Sequence, residues 1–376
     1  MSDGTVFRLR WAPLVGAALA GCVIGAALTA LVTAPGGAGL AAPAYARAIA
    51  PESQSAIVEA IKKVGPAVVN INTIVQVPSA PVPEIFRPFF EGPFPRQGQA
   101  SGVIIDQKGL VLTNNHVLEG ATAVKVTLAD GRTYDATVVG TDPLSDIGVV
   151  RIADGGLPFA ELGASEEKPI GSWIIAIGNP YGYENTVTVG VLSARDRSLR
   201  APNGVVLDHL LQTDAAINPG NSGGALVDIE GKVIGVPTAI IPYAQGIGFA
   251  ISAESARKVA TQLIATGRAI HPWLGVGVVP ITDEIRQQLK LPDRGGVLVS
   301  GVEPDSPAAQ AGIQPRDVIV RAGERAVTDL QVVADVVRDS TVGQELPLTI
   351  LRNGAQIVVT VTVGERPAPK PGPEQP

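Results

Sequence analysis

Apolar and polar positions alternate in short runs through the middle of the chain. Between residues 101 and 251 the runs read GVIID, GLVLTNN, AVKVTL, ATVVGT, IGVVRI, WIIAIG, TVTVGVLSA, KVIGVPTAI and GIGFAIS, with Gly, Asp, Asn or Pro between them. Runs this short, punctuated by turn residues, predict an all-β sandwich or barrel. Helical spacing is rarer. Ala56 to Lys63 reads as a short amphipathic helix before a strand that starts in Pro66–Asn72, and AESARKVATQLIATG (253–267) as a helix that closes the β unit. At His271-Pro272 the pattern changes. From about Trp273 to Gly364 it runs strand, helix (283–290), strands, helix (330–339), strands, which is enough chain for a second small domain. Pro78 to Gln99 reads as a proline-dense loop carrying Ile85, Phe86, Phe89, Phe90 and Phe94, and such a cluster needs burial or a partner. The end, RPAPKPGPEQP (366–376), reads as a disordered tail.

Composition narrows the choice. The chain has 376 residues, 45 % hydrophobic but only 4 % aromatic, so its cores must be built from Val, Ile, Leu and Ala. With 43 Gly and 31 Pro, turns are frequent. A net charge of −6 offers no basic face for nucleic acid. Cys22 is the one cysteine, which excludes internal disulfides and thiolate metal sites. The only histidines are His116, His209 and His271, so a His-rich metal site is not expected. No metal or other cofactor is expected.

The N-terminus directs the chain out of the cytoplasm. Arg8 and Arg10 precede an uncharged apolar run, Trp11 to Ala34, long enough to cross a ~30 Å hydrocarbon core. It reads as a retained signal anchor, as a signal peptide cleaved near AAPAYA (41–46), or as a lipoprotein signal at Leu19-Ala20-Gly21-Cys22. All three put the rest of the chain outside the cytoplasm.

Three segments carry chemistry: Leu112-Thr113-Asn114-Asn115-His116-Val117, Asp142-Pro143-Leu144-Ser145-Asp146-Ile147 and Asn218-Pro219-Gly220-Asn221-Ser222-Gly223-Gly224. A serine hydroxyl needs a base to take its proton, and imidazole has a suitable pKa. A carboxylate then fixes the imidazole tautomer. The glycines let the loop turn backbone N–H groups inward. The Gly220-Asn221-Ser222 segment, through the amides of Gly220 and Ser222, is the candidate oxyanion hole, roughly 2.7–4 kcal/mol per donor in related chemistry. Alone, each segment has an ordinary reading: a structural His, a turn-capping Asp, a Gly-rich turn. The order His, Asp, Ser inside an all-β unit is that of chymotrypsin-type enzymes. His209, in an apolar strand-like run, reads as packed, and His271 lies at the joint between domains.

On TNNHV, TDPLSD, AIGNPYG, TVTVGVLSA, LQTDAAINPGNSGGAL and GIGFAIS, residues 56–364 resemble the HtrA/Deg family of serine proteases. The resemblance implies a triad of His116, Asp146 and Ser222 in a mainly β, chymotrypsin-like double barrel, followed by one small α+β PDZ domain. It implies a homotrimer and, with the N-terminal segment, similarity to DegS-type members, although anchored members of general quality-control type look equally close. The S1 pocket would draw on Ile217 and Ile240, favouring cleavage after small aliphatic residues. Arg197 matches an arginine that helps transmit PDZ occupancy to the active site. Pro237 stands where the family usually has Asn, and Asp196 where Gly is common.

Trp273-Leu274-Gly275-Val276 has the form of a PDZ loop that captures a peptide carboxylate on backbone N–H groups while the peptide adds a strand. The expected organisation is a cytoplasmic stub and transmembrane anchor (1–34), a tether (35–55), the protease domain (56–268), the PDZ domain (269–365) and the tail (366–376). The expected activity is envelope endopeptidase on misfolded or regulatory proteins, activated by C-terminal peptides. The alternative is a chaperone or peptide-binding scaffold on a degenerate protease fold.

Overall fold

In the computed structural model, residues 51–77, 94–179, 185–200, 205–218, 220–240, 246–288 and 295–367 are described. The apolar run at 11–34, the phenylalanines at 86–90 and the last nine residues lie outside them. From Ser55 onward the chain belongs to one compact unit.

Helix α1 (Pro51–Val64) opens the described chain and buries Ile57, Ala60 and Val64 in a core cluster that draws on strands of both barrels. That barrel closes through β1 (Val68–Val77), β2 (Phe94–Ile104), β3 (Leu110–Thr113), β4 (Ala121–Thr127), β5 (Thr133–Asp142) and β6 (Ile147–Ile152), in spatial order 1-2-3-6-5-4. One expectation is corrected here. Residues 94–99, read as loop, belong to β2 and pair with β1 from Val77↔Phe94 to Asn72↔Gln99. The outer half of β1 supplies the backbone partners, which local proline content cannot reveal.

The second barrel has the order 10-11-12-9-8-7. Its strands are β7 (Trp173–Gly178), β8 (Thr186–Arg200), β9 (Val206–Thr213), β10 (Ala225–Val227), β11 (Val233–Ile240) and β12 (Gly248–Ser252). Pro237 sits where the β11–β12 register shifts, between Pro237 and Ala239. A bulge tolerates the missing N–H. Asp196 has φ +54, a conformation that costs glycine nothing and that Asp tolerates better than most residues. Helix α3 (Ala253–Thr266) is capped by the Ser252 hydroxyl, which accepts from Ser255 N–H, and ends at Gly267 with φ +76. Its Ala256, Val259, Ala260 and Leu263 pack with Leu112, Ile147 and Val149 of the first barrel and Val236 and Ile251 of the second. One helix thus ties the two barrels together.

The second domain has a short pair, β13 (Pro272–Trp273) with β20 (Gly364–Glu365), and a sheet in order β14 (Val276–Pro280), β15 (Val297–Val302), β16 (Val318–Ala322), β18 (Glu345–Arg352), β19 (Ala355–Thr362). A short β17 (Arg325–Ala326) pairs with β16. Helices α4 (Asp283–Gln288), α5 (Pro307–Gln310) and α6 (Leu330–Asp339) flank it. Asp329 caps α6, accepting from Gln331 and Val332 N–H at 2.9 and 3.2 Å. Leu274, Val299, Ile319, Val333, Leu348 and Val361 form a core of its own. Strand β14 lies at the edge of the sheet.

Candidate active site

Pairing of β3 with β6 puts Thr113 opposite Gly148. The residues just after β3 therefore meet those just before β6. His116 lies on a short helix, α2 (Asn115–Leu118), and Asp146 immediately precedes β6. The Asp146 carbonyl accepts from Asn115 N–H (3.2 Å) and Asn114 Nδ2 (3.0 Å). Its carboxylate accepts from His116 backbone N–H (3.0 Å) and lies 2.9 and 3.0 Å from His116 Nδ1. The Thr238 hydroxyl donates to Oδ2. Asp146 adopts φ +55 to make these bonds at once, strain that the surrounding hydrogen bonds hold in place.

With Nδ1–H facing the carboxylate, Nε2 is left as the basic nitrogen. Burial disfavours the charged imidazole. The hydrogen bond and charge of Asp146, with the charge of Glu119 behind, outweigh that and hold His116 above the ordinary imidazole value of 6.5.

The Ser222 loop leads into β10 of the second barrel and reaches across to the first. Ser222 O accepts from Ser101 N–H at 3.0 Å, and Gly223 N–H donates to Pro237 O at 3.0 Å. The Ser101 hydroxyl donates to Gly220 O at 2.5 Å and accepts from Asn179 N–H at 2.8 Å. Gly223 must be glycine: φ is +80, and a Cβ would stand 2.3 Å from both Ser101 O and Thr113 Oγ1. This contact brings the loop beside the Thr113–His116 segment. Gly220 has φ +106, and Asn221 N–H closes a turn on Asn218 O at 3.0 Å. Asn221 is thereby removed as a free backbone donor. The Gly220 and Ser222 N–H groups donate to no backbone carbonyl among the described residues.

The other expected residues fall as follows. Ile217 is buried, and a Cβ on Gly248 would meet its Cγ1 at 2.5 Å; Ile240 ends β11 directly opposite Gly248. The Ile217 side chain and the residue 240 backbone thus both neighbour Gly248. Arg197, on β8, donates from Nε to Gln212 Oε1 (3.1 Å) within its own barrel. His209, at φ +56 on β9, faces the second domain. Its Nε2 accepts from Arg338 Nη1 of α6 at 2.5 Å, and its Nδ1 faces Asp196 Oδ1 at 3.2 Å.

In the Trp273–Val276 segment, Leu274 O and Gly275 O accept from Ala308 and Glu303 N–H at 2.9 and 2.8 Å. The Leu274 and Gly275 N–H groups have no backbone acceptor among the described residues. Gly275, at φ +79, leaves room for Ser306 and Trp273, which a Cβ would strike. A cavity of about 460 Å³ runs from this loop along Val276, Val333 and Val337 to Leu144 and Leu207 of the barrels.

Sequence reasoning missed Ser101, Thr238 and the Asp142–His271 pair, in which His271 Nε2 lies 2.8 Å from Asp142 Oδ2. Each acts across about a hundred residues, and no local pattern marks them.

Comparison with known proteins agrees with this anatomy. Residues 100–236 match the trypsin-like peptidase domain family, and residues 272–363 the PDZ domain family. A Synechocystis sp. protein carrying the serine-protease name HhoB is 42 % identical over 336 residues, covering 84 % of this chain and 79 % of its own length. A Hahella chejuensis protein named as a DegP-like periplasmic serine endoprotease is 37 % identical, covering 82 % and 70 %. The structure of the HtrA-type protease AlgW with a tripeptide superposes with a TM-score of 0.73 at 39 % identity, covering 83 % of this chain and 98 % of that one. Fold and likeness define a trypsin-like serine endopeptidase carrying one PDZ domain. Within that class, the chain belongs to the HtrA/Deg family.

Proposed function

We propose that the chain cleaves misfolded or regulatory proteins of the cell envelope with His116, Asp146 and Ser222 as its triad. Ser222 is the nucleophile, His116 the base, and Asp146 the group that holds the imidazole. Gly220 and Ser222 N–H groups, in the turn that Asn221 closes, receive the oxyanion. The observation that carries this reading is the His116–Asp146 pair at 2.9 Å, set beside a glycine-framed serine loop clamped by Ser101.

Ile217, next to Gly248, and Ile240, paired with Gly248 across the strands, favour small aliphatic side chains before the cleaved bond. The PDZ domain takes C-terminal peptides with apolar ends. The peptide would lie along β14, its carboxylate at the Trp273–Val276 loop, and its presence would raise activity. Support comes from the edge position of β14 and from a cavity that also touches the barrels. Arg197 would help transmit occupancy, since its neighbour Asp196 faces His209, which touches α6. A homotrimer held to the inner membrane by the N-terminal run, with the protease (56–268) and PDZ (269–365) domains on the periplasmic side, completes the proposal.

Casein turnover by wild type and Ser222→Ala tests it. The variant should lose about 10⁶-fold in kcat, with an unchanged melting temperature. Equal turnover would sink the reading in favour of a peptide-binding scaffold. Calorimetry of the full chain with peptides ending in an apolar residue tests the regulatory half, and absence of binding across a peptide library would remove it.

A further inference from the structure

His271 is the last residue before β13, where the protease domain gives way to the PDZ domain. Its backbone is held from the PDZ side: its carbonyl accepts from Arg366 N–H at 2.8 Å, just beyond β20, and the next two residues pair with β20. Its ring points the other way. Nε2 lies 2.8 Å from Oδ2 of Asp142, whose side chain is only 5 % exposed.

Asp142 is the first residue of the turn that delivers Asp146. Its carboxylate accepts from Leu144 N–H at 3.3 Å and from the Ser145 hydroxyl. Burial pushes this carboxyl up, but the hydrogen bond and charge of His271, with the bonds from Ser145 and Leu144, bring it below the ordinary carboxylate value. An ionised carboxylate this deeply buried needs its partner. Without one, it must either protonate or draw water into the turn. Both would loosen the bonds that hold Leu144 and Ser145, and Asp146 follows Ser145 directly at a strained φ of +55. Leu144 and Ser145 also line the cavity that begins at the Trp273–Val276 loop.

We propose that His271 is a positioning residue for the catalytic carboxylate. Through Asp142 it fixes the 142–146 turn, which fixes Asp146 against His116. This gives the PDZ domain a mechanical connection to the triad that bypasses Arg197. The inference rests on the triad reading of the preceding subsection.

The test uses the full chain and a fluorogenic peptide with Val before the cleaved bond. His271→Phe keeps a ring but removes the donor. It should lower kcat about tenfold, with KM within about twofold. His271→Gln presents an amide N–H near the Nε2 position and should return kcat to within about threefold of wild type. His271→Phe combined with Asp142→Asn should be no worse than Asp142→Asn alone, because both changes break one contact. Melting curves on each variant separate unfolding from loosening, and the Gln variant keeps the test valid if the Phe variant is unstable. Wild-type kcat in His271→Phe would overturn the proposal. So would a Gln variant as slow as the Phe variant, or losses that simply multiply in the double variant. If Ser222→Ala is inactive while His271→Phe is normal, only this inference fails. If Ser222→Ala stays active, the triad reading itself has failed.

Discussion

The two halves of the candidate triad are held very differently. On the first barrel, Asp146 is fixed through every oxygen it has. His116 and Thr238 engage its carboxylate, and Asn114 and Asn115 its carbonyl. At the second barrel, Ser222 is fixed only through its backbone, with Ser101 N–H on its carbonyl. Its hydroxyl makes no hydrogen bond among the described residues. The base and its orienting carboxylate are therefore assembled in the fold, while the last contact, between His116 and Ser222, is left to form. In the proposed mechanism, that bond is the one a substrate or a PDZ ligand would control.

Apart from removing the nucleophile itself, the largest expected effect comes from attacking the rigid half. Asp146→Asn should keep the fold but lower kcat about 10⁴-fold, because an amide can orient the imidazole in the wrong tautomer. A loss below about tenfold would mean that the pair is not organised as described. Ser101→Ala attacks the other half. It leaves Gly220 O and Asn179 N–H without their hydroxyl partner and should cost about 1–3 kcal/mol of stability, read by denaturant unfolding. Because Ser101 also holds Gly220 in the turn proposed to receive the oxyanion, kcat should fall more than KM rises. Full activity would show that the Ser222 loop needs no clamp.

Thr238→Val should be milder. It removes one of several bonds to Asp146, so kcat should fall about tenfold, and Thr238→Ser should restore it. The smallest effect is in the pH profile. His116 must be neutral to act as base, and its pKa is raised, so activity should climb with pH and the acid limb of kcat/KM should fall above 6.5. The same raised value means that the charged imidazole favours folding below 6.5, and this contribution fades as pH rises through the folded value. Glu119→Gln should move the limb slightly down. A limb at or below 6.5 in wild type would contradict the His116–Asp146 geometry.

The sequence carried the chemistry further than the architecture around it. The candidate residues His116, Asp146 and Ser222 stood out because each lies in a compact motif, and the short β runs announced a sandwich or a barrel. The contacts that tune them were not. Ser101 and Thr238 look like ordinary strand residues, and only barrel closure brings them to Gly220 and Asp146. Residues 94–99 looked like a proline-rich loop because β-pairing with residues 72–77 is invisible locally. His209 read as packed rather than reactive. It does lie in a strand, but a positive φ turns it toward Arg338 of α6, and neither the turn nor the partner leaves a mark in the run DHLLQ.

The central claim is that Ser222 is a nucleophile made reactive by His116 and gated from the PDZ domain. Covalent labelling with a fluorophosphonate, followed by peptide mapping, tests it most directly. The account predicts one adduct, on Ser222, formed faster when an apolar-ended C-terminal peptide is present and lost in His116→Ala. An adduct on another residue, or labelling of Ser222 at the same rate without His116, would contradict it.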